Sequence, residues 1–299
     1  MDAPVPITFS PKDITFDVST RVTPVTNIES QFNVAYFLNG ELYNSDNCIV
    51  YPETEEGEWV MYSNATDEAV YWPLTGTCDF YASNSAKFCY IGAPDYNNPP
   101  YVCICDVPDY PFPSTDVVCA SRLNATKGST VSLSFSHVLA RIGTLIINTQ
   151  EGYEISGKSA SLIYEIPAYN DWDDPDLIDK IVYNYDDISP DFGIYGWNGE
   201  DEFNVIQFDE SIEGSTEIRS LIVGANDIFI VPGTYTIEVK YTLTKGDYVK
   251  SFTKRGTVTL QQGKINNITC TAVGGNAQEI DFSVSVQSWG TTTLTPTLS

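Results

Sequence analysis

Between Tyr235 and Leu243 the apolar residues occupy every second position, Tyr235, Ile237, Val239, Tyr241 and Leu243, with Thr, Glu and Lys between them. A period of two puts all five side chains on one face of an extended chain, so the stretch reads as a half-buried β-strand. Lys245-Gly246-Asp247 then supplies a turn, and Tyr248 to Leu260 returns with Phe252, Val258 and Leu260, the pattern of an antiparallel hairpin. The alternation recurs at Val131, Leu133, Phe135 and His137 against Ser132, Ser134 and Ser136, and again at Phe282, Val284 and Val286. No segment carries a long 3.6-residue period with caps, although Asp176 to Val182 has room for a short helical turn. With 19 Tyr, 14 Phe and 5 Trp, and with Thr, Val and Ile in short runs broken by Gly and Pro, the composition is that of strands. Many short strands at this spacing predict an all-β chain of two tandem β-sandwich domains. A break near Leu139 to Gly143 divides the 299 residues into 1–140 and 141–299, both of ordinary domain size. The Pro-rich stretches Ala93 to Tyr101 and Val107 to Pro113 read as long loops of the first domain.

Charge narrows the partners. Forty acidic residues stand against 15 basic ones, a formal charge of -25, so a nucleic-acid backbone would meet a repelling field. The acidity is shared, 17 acids to 5 bases in residues 1–140 and 23 to 10 in the rest, and neither half is a charged tail. Lys254-Arg255 is the sole adjacent basic pair, too little to hold the chain on an anionic membrane surface. No apolar run approaches the roughly 18 residues of a membrane-spanning helix. Met1-Asp2-Ala3-Pro4 does not open a signal peptide, so the chain reads as a mature or trimmed form.

Catalytic chemistry finds little material. There is one histidine, His137, and its parity with Val131, Leu133 and Phe135 places it on the inward face of a strand, as a satisfied core residue. No nucleophile elbow, phosphate-binding loop or zinc-protease motif is present. Asp171-Trp172-Asp173-Asp174-Pro175-Asp176 offers oxygen ligands but lacks the Gly and distal Glu of a calcium loop, and reads as a solvated loop. Glu200-Asp201-Glu202 has no second acid at a spacing that the sequence can fix, so a hydrolase built on paired carboxylates is the weakest reading. No enzyme activity, metal site or cofactor is expected. Six of seven cysteines (Cys48, Cys78, Cys89, Cys103, Cys105, Cys119) lie in the first 120 residues and Cys270 stands apart; small buried hydrophobes are preferred to a disulfide framework.

The two ends of the chain carry strand patterns instead. Ile14, Phe16 and Val18 alternate with Thr15 and Asp17, and Arg21 follows in the linker Ser19-Thr20-Arg21-Val22-Thr23-Pro24 ahead of a strand at Phe32 to Phe37. The tail Thr291 to Ser299 puts Leu294, Pro296 and Leu298 on one side, an amphipathic extension able to add to the sheet edge of another molecule, or else a frayed terminus. Pro296 restricts such a strand to an edge or a strand end.

Taken in order along the chain, several segments resemble the fimbrillin-like family, the type V pilus subunits of anaerobic Gram-negative bacteria. They are Thr20-Arg21-Val22-Thr23 before Phe32-Asn33-Val34-Ala35-Tyr36, Val70-Tyr71-Trp72-Pro73 followed by Asp79-Phe80-Tyr81-Ala82, and the run from Val131 to Arg141. Ile230-Val231-Pro232-Gly233 before Tyr235 to Tyr241, Gly263-Lys264 before a strand, and the closing Phe282 to Trp289 extend the likeness over nearly the whole chain. The resemblance implies two tandem transthyretin-like β-sandwiches, export as an outer-membrane lipoprotein precursor, and assembly at the cell surface into a fimbrium with other fimbrial subunits, without catalysis. It also implies proteolytic processing at Arg21 before Val22. The first strand, with Ile14, Phe16 and Val18, would leave a groove for the C-terminal donor strand of a neighbour, here Leu294, Pro296 and Leu298. His137 and Arg141 would sit at the junction of the domains, and His137→Ala should lower the melting temperature. Stalk and tip or accessory roles both remain open. A competing reading is a surface glycan-binding module, in which exposed aromatics such as Trp172 and Trp197 stack on sugar rings, against the ordinary fate of aromatics as core.

Overall fold

The computed structural model describes residues 4–9, 15–16, 31–43, 48–53, 59–84, 88–89, 101–106, 116–148, 153–164, 168–169, 180–185, 192–195, 203–210, 220–221, 228–273, 279–288 and 292–293. These are all-β; no helix occurs among them. Residues 180–182, weighed above as part of a helical turn, belong to the strand Lys180–Asn184, which pairs with Tyr101–Asp106. The acidic run Asp171 to Asp176, Glu200 to Glu202, Trp172 and Trp197 lie outside the described residues.

Backbone proximity divides the chain into two compact units. One is Met1–Val138 with Tyr169–Trp197 and Trp289–Ser299; the other is Leu139–Ala168 with Asn198–Ser288. Two later segments, Tyr169–Trp197 and Trp289–Ser299, thus group with the first unit.

In the first unit the strands Trp59–Ser63, Cys48–Pro52, Phe32–Leu38, Cys78–Ser83, Val118–Ala125 and Ser134–His137 lie side by side in that order, each antiparallel to the next. Phe32–Leu38 turns into Glu41–Leu42 through Asn39 and Gly40, both at positive φ (52° and 85°), the backbone that a two-residue hairpin needs and that Asn-Gly supplies. Parity does the rest: Val131, Leu133, Phe135 and His137 are buried and the serines between them exposed, as the alternation requires. The core is aromatic, with the Phe32 ring 5.7 Å from Trp59 and 5.4 Å from Phe135.

The second unit is organised by the hairpin that the sequence announced. Gly233–Lys245 pairs with Tyr248–Leu260 from Gly233↔Leu260 to Lys245↔Tyr248, and Tyr235, Ile237, Val239, Tyr241 and Leu243 are each at most 1% exposed. Its other neighbours are Glu154–Tyr164 and then Phe203–Glu210. A second sheet sets Ala140–Asn148 parallel to Lys264–Val273, which in turn pairs with Glu279–Ser288. There Val284 is half-buried and Val286 40% exposed, so the third alternating stretch is a strand without a fully covered face; among the described strands it pairs with Lys264–Val273 alone. Asn266, fully buried, donates to the carbonyls of Lys264 (2.9 Å) and Gln261 (3.2 Å) and accepts from Gln261 N–H (2.9 Å), closing the turn before its strand.

Cys48, Cys78, Cys119 and Cys270 are buried free thiols. Burial pushes the thiols of Cys119 and Cys270 from an ordinary 9.0 up to about 12. The unfolded thiols ionise as the pH passes 9 and the folded ones stay neutral to about 12. Their contribution to stability is therefore complete below pH 9 and lost between pH 9 and 12. A melting temperature that is level below pH 9 and falls above it is the expected result, together with peptide mapping in which a thiol reagent at pH 8 labels these four cysteines only on unfolding.

Candidate functional site

The chain's leading segment is built into the first unit from both sides. Val5-Pro6-Ile7-Thr8-Phe9 alternates, and Ile7 and Phe9 point inward, both 0% exposed, while Val5 is 41% exposed. On one flank Ile7 N–H donates to Val70 O (2.9 Å), Met61 N–H to Ile7 O (3.2 Å) and Trp72 N–H to Val5 O (2.9 Å). Thr8–Phe9 pairs with Val60 and Trp59, and Pro6 is bridged to Tyr71. On the other flank Val131 N–H donates to Thr8 O (3.0 Å), and Phe9 and Val131 form a parallel bridge. The segment thus lies along Trp59–Ser63 on one side and is tied on the other to Val131, just ahead of Ser134–His137.

Side chains make the same attachment. The Phe9 ring meets Phe32 edge-on at 5.6 Å and Phe80 at 5.7 Å, and with Ile7 belongs to one core cluster containing Trp59, Met61, Val70, Val131 and Phe135. Removal of residues 5–9 would strip partners from the backbone groups of Met61, Val70, Trp72 and Val131 and vacate an apolar slot two side chains deep. Sequence reasoning placed the anchors at Ile14, Phe16 and Val18 and passed over Ile7 and Phe9. The missed signal was a five-residue alternation interrupted by Pro6.

Farther along, Thr15–Phe16 pairs parallel to Ser134–Phe135 and antiparallel to Thr292–Thr293. The structure therefore brings the backbone of Phe16 to the first residues of the trailing segment, within one chain. Ile14, Val18, Arg21 and Val22 lie outside the described residues, as do Leu294, Pro296 and Leu298. His137 ends its strand, 3% exposed, with Nδ1 2.6 Å from Asp116 Oδ2; Arg141 is 7% exposed in the strand Ala140–Asn148, opposite Phe229 and Ile265. These two residues bracket the step from one unit to the other. Among the described residues no cluster of His, Cys, Asp or Glu fits a metal ion.

The model of a family described as fimbrillin-like matches residues 20–289. Among solved structures, the chain is similar to a candidate cell adhesion protein from Bacteroides uniformis, with 12% identity, 97% of this chain and 99% of that one covered, and a TM-score of 0.46. A candidate cell adhesion protein from Bacteroides ovatus gives 13% identity, 96% and 99% coverage, and a TM-score of 0.45. No curated protein matches the sequence.

Proposed function

Because the chain belongs to the fimbrillin-like family, we propose that it is a non-catalytic cell-surface fimbrial subunit that assembles with other subunits by exchanging its leading segment for a neighbour's strand. The observation that carries this reading is the burial of Ile7 and Phe9 at 0% in a segment that lies upstream of Arg21 and is hydrogen-bonded on both flanks. A cut after Arg21 severs the covalent link and leaves the segment held by its side chains and backbone bonds alone. An incoming strand with two apolar anchors at alternate positions restores both, so the exchange costs little at equilibrium. The pairing of Thr15–Phe16 with Thr292–Thr293 adds that loss of the leading segment also frees the start of the trailing one, with Leu294, Pro296 and Leu298 as the donor positions. The two transthyretin-like domains, the outer-membrane lipoprotein precursor and a junction role for His137 and Arg141 belong to the same proposal.

The test is limited digestion with an arginine-specific protease followed by incubation at high protein concentration. Cleavage between Arg21 and Val22, loss of the leading peptide by mass spectrometry and a ladder of oligomers are expected, and Arg21→Ala should abolish all three. Cleaved protein that stays monomeric with its peptide retained, or a ladder formed equally by Arg21→Ala, would overturn strand exchange.

A further inference from the structure

A groove of about 780 Å³ opens in the first unit, lined among the described residues by Tyr43, Ser63, Thr66, Glu68, Ala69, Val70 and Tyr71. We propose that it is a binding site for a neutral saccharide, with the rings of Tyr43 and Tyr71 as stacking surfaces and Glu68, Thr66 and Ser63 as partners of sugar hydroxyls. The proposal goes beyond subunit assembly and does not depend on strand exchange.

Three observations select this ligand class. First, the two tyrosines are large aromatic side chains left half-open in a molecule that buries most of its described aromatics, Tyr43 at 55% and Tyr71 at 48% exposure. A pyranose has an apolar face of C–H groups that covers such a ring and an edge of hydroxyls that seeks oxygen partners, the combination this wall presents. Second, several backbone groups beside the groove are already paired. Ser63 N–H donates to Glu68 O (2.9 Å), Asp67 N–H to Ser63 O (2.8 Å), Val70 N–H to Met61 O (2.8 Å) and Tyr43 N–H to Tyr36 O (2.9 Å). Extension by a peptide strand is thus blocked on the side that Glu68 and Val70 face. Third, Glu68 stands in the wall of a chain of formal charge -25, so sialylated, sulfated or uronic acid sugars are repelled and neutral ones accepted.

The Tyr43 ring and the backbone that carries Tyr71 are held in place before any ligand arrives. Tyr43 packs against the buried Tyr36 with centroids 4.9 Å apart, and the Tyr36 hydroxyl lies 3.3 Å from Cys78 Sγ. The backbone of Tyr71 is fixed on either side, by Ile7 N–H to Val70 O and by Trp72 N–H to Val5 O. Ordering lost in advance is not lost again on binding.

The full chain, uncut, is applied to a printed array of neutral hexose, N-acetylhexosamine and fucose oligosaccharides beside their sialylated and sulfated forms, and hits are titrated calorimetrically. Binding to a neutral glycan is expected, with about a tenfold rise in Kd in Tyr71→Ala and again in Tyr43→Ala. Glu68→Gln should weaken neutral binding less and relax the rejection of acidic glycans. Tyr71→Ala decides alone if Tyr43→Ala melts early through loss of its contact with Tyr36. No glycan bound, an acidic glycan preferred, or a hit whose Kd is unchanged in Tyr71→Ala would each overturn the site. None of these results bears on the oligomer ladder, so the two proposals fail separately.

Discussion

Phe9→Ala is expected to destabilise the first unit by about 3–5 kcal/mol, and Ile7→Ala by about 2–5 kcal/mol. Both side chains are fully enclosed, Phe9 between the rings of Phe32 and Phe80, so truncation removes transfer free energy and leaves a cavity that a close-packed core is poorly able to collapse. Since domains of this kind are stable by only about 5–15 kcal/mol, the double substitution should bring the unit close to unfolding. The two sites are near neighbours and their losses need not add. Val5→Ala, at a position 41% exposed, is the control and should change stability by no more than about 0.5 kcal/mol. Urea titration of the intact chain measures all three. A loss under about 1 kcal/mol for Phe9→Ala would mean that the slot does not need its occupant, and the driving force for accepting a foreign strand would go with it. The same numbers explain why a cut leading segment would remain in place until another strand arrives.

How much of this was legible in the sequence depended on whether the cause was local. The hairpin of Gly233–Lys245 with Tyr248–Leu260 was readable because five alternating residues and a Gly-containing turn act within thirty positions. The parity of Val131, Leu133, Phe135 and His137 was readable for the same reason. The leading strand was not, since five residues containing a proline carry too little periodicity, and its meaning lies in the partners Val60, Val70 and Val131, which chain order keeps apart. The groove was equally hidden, because Tyr43 and Tyr71 come to line it together only in the folded chain. Aromatic richness signalled that some rings would be exposed, and the sequence pointed to Trp172 and Trp197 instead. The grouping of residues 169–197 with the first unit is a long-range pairing, in which Tyr185 donates to Ala82 O at 2.6 Å across a separation of 103 residues.

Asp116 shows the same limit and gives the second large effect. The sequence identified His137 as a buried histidine and could not name its partner, which antiparallel pairing decides. Val118 stands opposite His137, so Asp116, two residues earlier on the same face, is its diagonal neighbour. The resulting contact of 2.6 Å between Nδ1 and Oδ2, with side chains 1% and 2% exposed, is a buried histidine–carboxylate hydrogen bond. Asn84 pins the strand that carries it, donating from Nδ2 to Asp116 O and accepting from Val118 N–H, both at 2.9 Å. Removing one member takes a buried hydrogen-bond partner from the other, so Asp116→Ala and His137→Ala should each cost about 1–3 kcal/mol. That corresponds to a fall of roughly 5 °C in melting temperature for a unit of this size. Replacing both with apolar residues, Asp116→Val with His137→Leu, should cost less than the two single losses together, because both polar groups leave the core at once. If the double variant costs as much as the two singles together, the residues contribute independently; if it costs clearly less, the contact couples them. A single variant that melts with the parent protein would show that neither holds and that His137 is a passenger at the end of its strand.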